Sequence, residues 1–479
     1  MSSSTLTAPI ESLTLDSARS LTADVRLASR QLKGLGYEVR QKILRAIAAE
    51  LSNTANHPAI LEANQRDIDA AKTANMSGTN LARLVLTPKK LETLSAGLQQ
   101  LSEPAYVADP VNQLKKETII ADGLRLQQRT VPLGVLLVIF ESRPDVLPQL
   151  IGLSVLSSNG LLLKGGSESR HTLSVLYSLC TRAITRASDG LVQGTDLIAL
   201  LSGRSVISTL LALDDSIDLV IPRGGKELVK HVKENTKIPV LGHADGVCHM
   251  YLDKEYGGRD NLVNMIGMMI DSKTDYPAAC NALETLLLHE SILEHQGLTD
   301  STTAVGDILR SLQSAEITIK LGPRAHAHAQ NEADSPFRGF EMADDLHCEY
   351  GDLTMCVELV PDMTTAIEHI HRYGSSHTET ILTSNPSTAS IFLDTVDSAC
   401  VFHNTSTRFA DGFRMGLGAE VGISTSRIHA RGPVGVEGLC TTKWTMVSTE
   451  ASGQQVKPFQ TGEKKFIHKQ IEVAGRTNL

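Results

Sequence analysis

From residue 131 onward, short apolar runs alternate with longer stretches in which apolar residues recur at helical spacing. Val135–Phe140, Leu161–Lys164, Leu197–Leu201, Ile217–Ile221 and Pro239–Leu241 read as strands. Leu147–Ser157, Thr172–Ala187, Val206–Leu213 and Glu227–Thr236 read as the helices between them. Short apolar strands joined by helical crossovers predict an α/β fold built on a doubly wound sheet. Such sheets take ligands at the carboxyl ends of their strands. A second α/β region follows, with Val247–Leu252, a Met-rich helix over Leu262–Ile270, Leu283–His289, Ile317–Lys320 and Leu353–Leu359. The methionines of that helix read as packing core rather than a soft-metal surface.

The first hundred residues follow a helical pattern instead. Ile43, Leu44, Ile47, Ala48 and Leu51 share one face, and Pro58 and Pro88 suit the first turns of later helices. Polar, strand-like segments then appear at Glu117–Ile120 and Leu124–Arg129, joined by Asp122-Gly123, a strong hairpin signal. A hairpin with so little core of its own serves as an arm to another subunit or as a surface flap. Residues 331–335 read as a loop, and so does His326-Ala327-His328, which has no acidic or thiol neighbour at metal-ligand spacing.

Composition narrows the class. The 479 residues are 41% hydrophobic and 21% charged, which suits a globular enzyme of two or three domains. The net charge of −9 comes with no Lys/Arg-rich block, which argues against nucleic-acid partners or an anionic membrane surface. Seven cysteines lie scattered with no CxxC pair, so a reducing compartment is expected and neither a disulfide framework nor a metal centre. Residues 1–16 lack the apolar core of a secretory signal and are too acidic for a transit peptide. No run approaches the about 18 apolar residues of a membrane span. A cytoplasmic location is the expectation.

Three segments carry candidate chemistry. Cys280 follows Asp275-Tyr276-Pro277-Ala278-Ala279 and precedes the apolar run at Leu283, which places a thiol at the edge of a sheet. A thiolate there attacks an acyl carbon, whereas a lone cysteine elsewhere is commonly a small buried hydrophobe. Lys164-Gly165-Gly166-Ser167 and Arg223-Gly224-Gly225-Lys226 each join a strand to a helix. Glycines admit a phosphate or ribose to backbone N–H groups, and the lysine adds charge. Either turn alone also serves as a plain helix cap. Together, in two βα units, they favour nucleotide binding. The third segment, Val401–Trp444, is rich in hydroxyl, Gly and Arg residues and suits polar anions.

Over nearly its whole length the chain resembles the gamma-glutamyl phosphate reductases, a branch of the aldehyde dehydrogenase superfamily. The resemblance is carried by Phe140–Pro144, Leu163–Gly166, Ile221–Gly225, Pro239–Gly246, Pro277–Thr285 and Phe409–Gly438. It looks closest to the eukaryotic enzymes, including the reductase half of delta-1-pyrroline-5-carboxylate synthases, and implies a stand-alone form with no kinase domain ahead of it. The implied reaction is the NADPH-dependent reduction of L-glutamate 5-phosphate to glutamate 5-semialdehyde through a Cys280 thioester, in proline biosynthesis. The implied fold is aldehyde dehydrogenase-like. An NADPH-binding domain would span 10–112, 131–245 and 402–430, and a catalytic domain 246–401. A β arm for oligomerisation would join 113–130 to 431–479.

By family position Lys164, Gly165, Ser167, Gly224 and Gly225 hold the cofactor, and Glu349 matches the superfamily acid that contacts the nicotinamide-side ribose. Arg143, Arg408, Ser426 and Arg427 are the substrate-binding candidates, Arg427 and Arg408 first. Each could instead pair structurally with Glu284, Asp411 or Glu420. No metal is implied. A homo-oligomer is implied, and association with a glutamate 5-kinase is compatible with the family.

Two departures from the superfamily pattern bear on mechanism. Where members that hydrolyse a thioester carry a Glu base, this chain reads Leu241-Gly242-His243-Ala244-Asp245-Gly246. A thioester relieved by hydride needs no activated water. The superfamily's oxyanion-hole Asn is replaced by Asp145, which cannot donate when ionised, so donors at Cys280 and Asn281 are expected to take that role.

Overall fold

The computed structural model describes residues 9–473 except 77, 204, 244 and 452. Residues 1–8 of the N-terminal segment, Ala244 and residues 474–479 of the expected tail therefore lie outside the described residues. The chain forms two compact units. One runs to Leu241 and takes in Gly416–Gly422 and Val434 onward; the other holds Gly242–Met415 and Ile423–Pro433.

In the first unit, four parallel strands lie in the order Ile198–Leu201, Gly160–Lys164, Val135–Phe140, Leu219–Arg223. Every residue of Val135–Phe140 is buried, as a parallel sheet covered on both faces requires. Leu137, Ile139, Leu162, Ala199 and Val220 form the core on one face. The fifth expected strand, Pro239–Leu241, is reduced to a single parallel bridge between Val240 and Val220. Proline has no N–H to continue a ladder, which suits this edge position. Helices Leu15–Gly34, Tyr37–Ser52, His57–Thr73 and Pro88–Leu101 precede the sheet, with Pro58 and Pro88 in first turns as their spacing predicts.

The same unit carries an antiparallel sheet in the order Cys440–Ser448, Leu124–Pro132, Leu114–Ala121, Lys469–Ile471. The predicted hairpin thus pairs with two strands of the C-terminal tail, from Cys440 opposite Pro132 to Ser448 opposite Leu124. Trp444, Met446 and Val447 stay exposed on it.

The second unit is built on seven parallel strands ordered Glu341–Met342, Thr318–Leu321, Thr354–Val360, Leu283–His289, Cys248–Leu252, Thr378–Leu382, Cys400–His403. The boundary differs from the expected one, because residues 242–245, 402–415 and 423–433 pack with this unit. Phe402 and His403 sit in its edge strand, in register with Thr380 and Ile381. His326 and His328 lie on helix Pro323–Asn331 rather than in a loop. Pro323 starts that helix, and His328 Nδ1 meets Ser335 Oγ at 2.7 Å. Among the described residues no helix is long and apolar enough to cross a membrane.

Candidate active site

Eight residues join helix Arg259–Thr274 to strand Leu283–His289, and Cys280 lies in that connection, half-buried. Cys248 starts the neighbouring strand and His377 directly precedes the next but one. Cys280 therefore lies at the amino ends of the strands of its sheet, the opposite end from the usual binding edge of an open α/β sheet. Cys248 is fully buried and its Sγ donates to the Cys280 carbonyl at 3.3 Å. Burial pushes the Cys248 thiol well above the ordinary range, so it stays protonated.

Gly246 is wedged against this turn. A Cβ there would lie 2.0 Å from the Cys280 carbonyl oxygen and 2.5 Å from its Cα. Its N–H donates to Glu349 Oε2 at 3.0 Å. Glu349 thus holds the backbone that packs behind Cys280. Around the thiol, one imidazole nitrogen each of His243 and His377 and the Cys280 Sγ all lie within 4.8 Å of one another.

Asn281 and Arg408 are tied to one another. The Asn281 amide donates to the Ala410 carbonyl at 2.8 Å, and its carbonyl accepts from the Arg408 guanidinium. Thr407 Oγ1 donates to the Asn281 backbone carbonyl at 2.7 Å. Arg408 Nε and Arg414 converge on Asp275, at 3.0 and 2.8 Å. These cations hold the Asp275 carboxyl below its usual range, with Arg414 the main contributor. Residues 407–414 are in this way tied to the chain on both sides of Cys280, at Asp275 and Asn281. Below it, Lys273 and Glu284 form a fully buried ion pair at 2.7 Å, and Tyr350 N also donates to Glu284. Burial drives the Glu284 carboxyl up to about 7 while Lys273 opposes that shift.

Ser426 and Arg427 sit on the loop closed by strands Ile423–Ser424 and Gly432–Pro433. Ser426 Oγ donates to the Ile428 carbonyl at 3.2 Å. Arg427 pairs with Asp397, which also takes Arg431 at 2.5 Å, and its side chain is 69% exposed. Arg408 pairs with Asp275 and Arg427 with Asp397, acids outside the expected set of Glu284, Asp411 and Glu420.

The first unit carries the glycine turns and the remaining candidates. Lys164 ends its strand, and Ser167 opens a short 3-10 turn into helix Arg170–Ala187. Glu168 Oε1 accepts from both the N–H and hydroxyl of Ser142, at 2.5 and 3.0 Å. A Cβ at Gly165 would lie 2.2 Å from Leu173, and one at Gly166 would lie 2.0 Å from the Glu168 carboxylate. A side chain at either place would have to displace the end of the Leu173 or Glu168 side chain. Gly224 is similarly crowded by Glu141 and Leu228, while Gly225 caps helix Lys226–Glu234 and opens onto free space. Both turns follow the carboxyl ends of their strands, as the sequence predicts. Arg143 and Asp145 lie before helix Val146–Leu156, where Asp145 stands at the N-cap with one carboxylate oxygen buried and unpaired.

Sequence reasoning missed Gly246, Cys248, His377, Asp275 and Arg414, and assigned His243 no role. No spacing signals them, since each acts through chain segments that only the fold brings together.

The fold and the thiol define an aldehyde dehydrogenase-like protein. A betaine aldehyde dehydrogenase from Staphylococcus aureus superposes with a TM-score of 0.60 over 93% of this chain at 16% identity, a likeness of fold. No family model matches the chain. A gamma-glutamyl phosphate reductase from Cyanothece is 43% identical over 439 residues, 91% of this chain and 95% of that relative. The crystal structure of a gamma-glutamyl phosphate reductase from Thermotoga maritima gives a TM-score of 0.80 at 31% identity, covering 91% of this chain and 100% of that one. Delta-1-pyrroline-5-carboxylate synthase B from Arabidopsis thaliana is 46% identical over 462 residues, of which this chain spans 58% of the relative's length. The chain belongs to the gamma-glutamyl phosphate reductase family.

Proposed function

We propose that the chain reduces L-glutamate 5-phosphate to L-glutamate 5-semialdehyde, with release of phosphate, in proline biosynthesis. One observation carries this: a half-buried thiol in a clamped turn, in a chain that spans 95% of a gamma-glutamyl phosphate reductase at 43% identity. Cys280 Sγ attacks the acyl carbon and expels phosphate, leaving a thioester. NADPH, when bound, supplies the hydride that reduces it. Collapse of the resulting thiohemiacetal frees the aldehyde and the thiol.

Lys164, Gly165, Ser167, Gly224 and Gly225 hold the cofactor phosphates and ribose; the crowding at Gly165 and Gly166 fits a turn kept bare for close approach. Glu349 orients the Gly246 backbone and meets the nicotinamide-side ribose. Arg427 and Ser426 bind the anionic ends of the substrate with Arg143, and Arg408 positions Asn281. The backbone N–H groups at Cys280 and Asn281 serve the acyl oxyanion, because the Asn281 amide is committed to Ala410. The protein works in the cytoplasm as a homo-oligomer assembled through its antiparallel sheet, and association with a glutamate 5-kinase would hand over the unstable acyl phosphate.

The test is the reverse reaction. Pyrroline-5-carboxylate, phosphate and NADP+ should yield NADPH with the folded protein, and NAD+ should serve poorly. No NADPH formation would exclude the assigned reaction.

A further inference from the structure

We propose that Glu284, held in place by Lys273, is a positioning residue for the cofactor acid Glu349, a role that rests on the function proposed for Glu349 above. Lys273 lies in the last turn of helix Arg259–Thr274, and Glu284 is the second residue of strand Leu283–His289. The pair therefore joins the two flanks of the Cys280 connection. Both side chains are fully buried, with Lys273 Nζ 2.7 Å from Glu284 Oε2. The same Oε2 accepts from the Tyr350 N–H at 3.3 Å.

Tyr350 directly follows Glu349 in a stretch with no helix or strand, and Gly351 after it takes a φ of +68°. Glu349 itself is exposed. An exposed acid on irregular backbone has many conformations to lose when it meets a ligand, and fixing it beforehand removes that cost from binding. Here Tyr350 is fixed twice. Its N–H is bonded to Glu284, and its ring centroid is 6.0 Å from the Lys273 ammonium, at the outer limit of cation–π attraction. Glu349 Oε2 in turn accepts the Gly246 N–H at 3.0 Å. The buried pair thus fixes the backbone beside the acid, and Gly246 fixes its carboxylate.

Stability alone does not account for the pair. The cost of taking two charges out of water offsets much of their attraction, and apolar side chains of similar volume commonly serve a fold as well or better. Glu284 adds a further cost, since its buried Oε1 finds no hydrogen-bond partner among the described residues. What an apolar pair cannot do is accept the Tyr350 N–H. That bond reaches the residue next to the cofactor acid.

The chain carrying both Lys273→Met and Glu284→Leu loses the acceptor without stranding a charge. NADPH binding to this full-length variant, read by cofactor fluorescence, should weaken about tenfold, the loss of one hydrogen bond to a charged group. Denaturant unfolding should stay near wild type, and alkylation of Cys280 by iodoacetamide should keep its wild-type rate. Glu349→Ala should weaken NADPH binding to a similar extent. Adding the pair substitutions to Glu349→Ala should then bring little further loss, because Glu284 acts through Glu349. Wild-type NADPH affinity in the pair variant, losses that add in full, or a pair variant that does not fold overturns the proposal. An affinity unchanged by Glu349→Ala would instead remove the acid from the cofactor site, and the positioning role with it. A wild-type chain whose NADPH affinity depends on the pair but which is inactive in the reverse assay would sink the reductase function and leave the positioning role standing.

Discussion

Gly246→Ala is the sharpest perturbation of the site, because its effect is set by distances rather than by chemistry. The added methyl carbon would sit 2.0 Å from the Cys280 carbonyl oxygen, 2.5 Å from its Cα and 2.6 Å from its carbonyl carbon. Ordinary contact begins near 3.4 Å. The Cys280 turn must therefore retreat by about 1 Å, since all three clashing atoms belong to backbone and none can rotate away. Overpacking of this kind destabilises by about 1–3 kcal/mol. A 1 Å misplacement of a reacting group lowers turnover by about 100-fold. The substitution also strains the Gly246 N–H bond to Glu349, so cofactor affinity should weaken alongside. Reverse-reaction kinetics, run beside a urea denaturation series, separate the two effects. A folded Gly246→Ala protein with turnover within twofold of wild type would refute the placement of Gly246 behind the nucleophile.

Lys273→Met strands a buried carboxylate and should lower stability by about 3–5 kcal/mol, whereas Lys273→Met with Glu284→Leu should regain most of it, both measured by denaturant unfolding. Burial, ahead of repulsion by His249 and Arg372, holds the His369 imidazole down to about 3, from 6.5. It is neutral when folded and gains a proton only on unfolding, so its contribution is complete above pH 6.5 and is lost as pH falls from 6.5 towards 3. By about pH 5 the loss reaches about 2 kcal/mol, and His369→Leu should flatten that part of the stability profile. Lys164→Ala should weaken NADPH binding about tenfold, read by cofactor fluorescence, with Cys280 alkylation unchanged.

Elements built from apolar residues were legible in the chain. Val135–Phe140 and Leu283–His289 appear with the bounds their apolar runs predict, and Asp122-Gly123 turns the hairpin where expected. Strand Thr378–Leu382 was not legible, because its first three residues are polar yet buried. Their burial is supported by partners no local pattern reveals: Glu379 accepts from the His249 backbone at 2.7 Å and from Ser398 at 3.1 Å. Missing that strand also misplaced Cys400–His403, which pairs with it, and so shifted the boundary of the second unit.

The site divides the same way. Cys280 and the two glycine turns carry a local signature, since a nucleophile in a Pro-containing turn and a bare strand-to-helix turn are short-range features. The candidate arginines do not. Arg408 meets Asp275 and Asn281, and Arg427 meets Asp397, through tertiary contacts that charge and spacing leave open. His243 stood in view within a quoted motif. Ile423 and His377 reach it only in the folded unit.

The central claim is that Cys280 carries an acyl group released by phosphate in one direction and hydride in the other, never by water. Rapid mixing of the enzyme with NADP+ and pyrroline-5-carboxylate, first without phosphate, tests it most directly. A burst of one NADPH per chain that then stops, restarts on adding phosphate and is absent from Cys280→Ser is the predicted result. Sustained NADPH formation without phosphate, or a burst from Cys280→Ser, would contradict it.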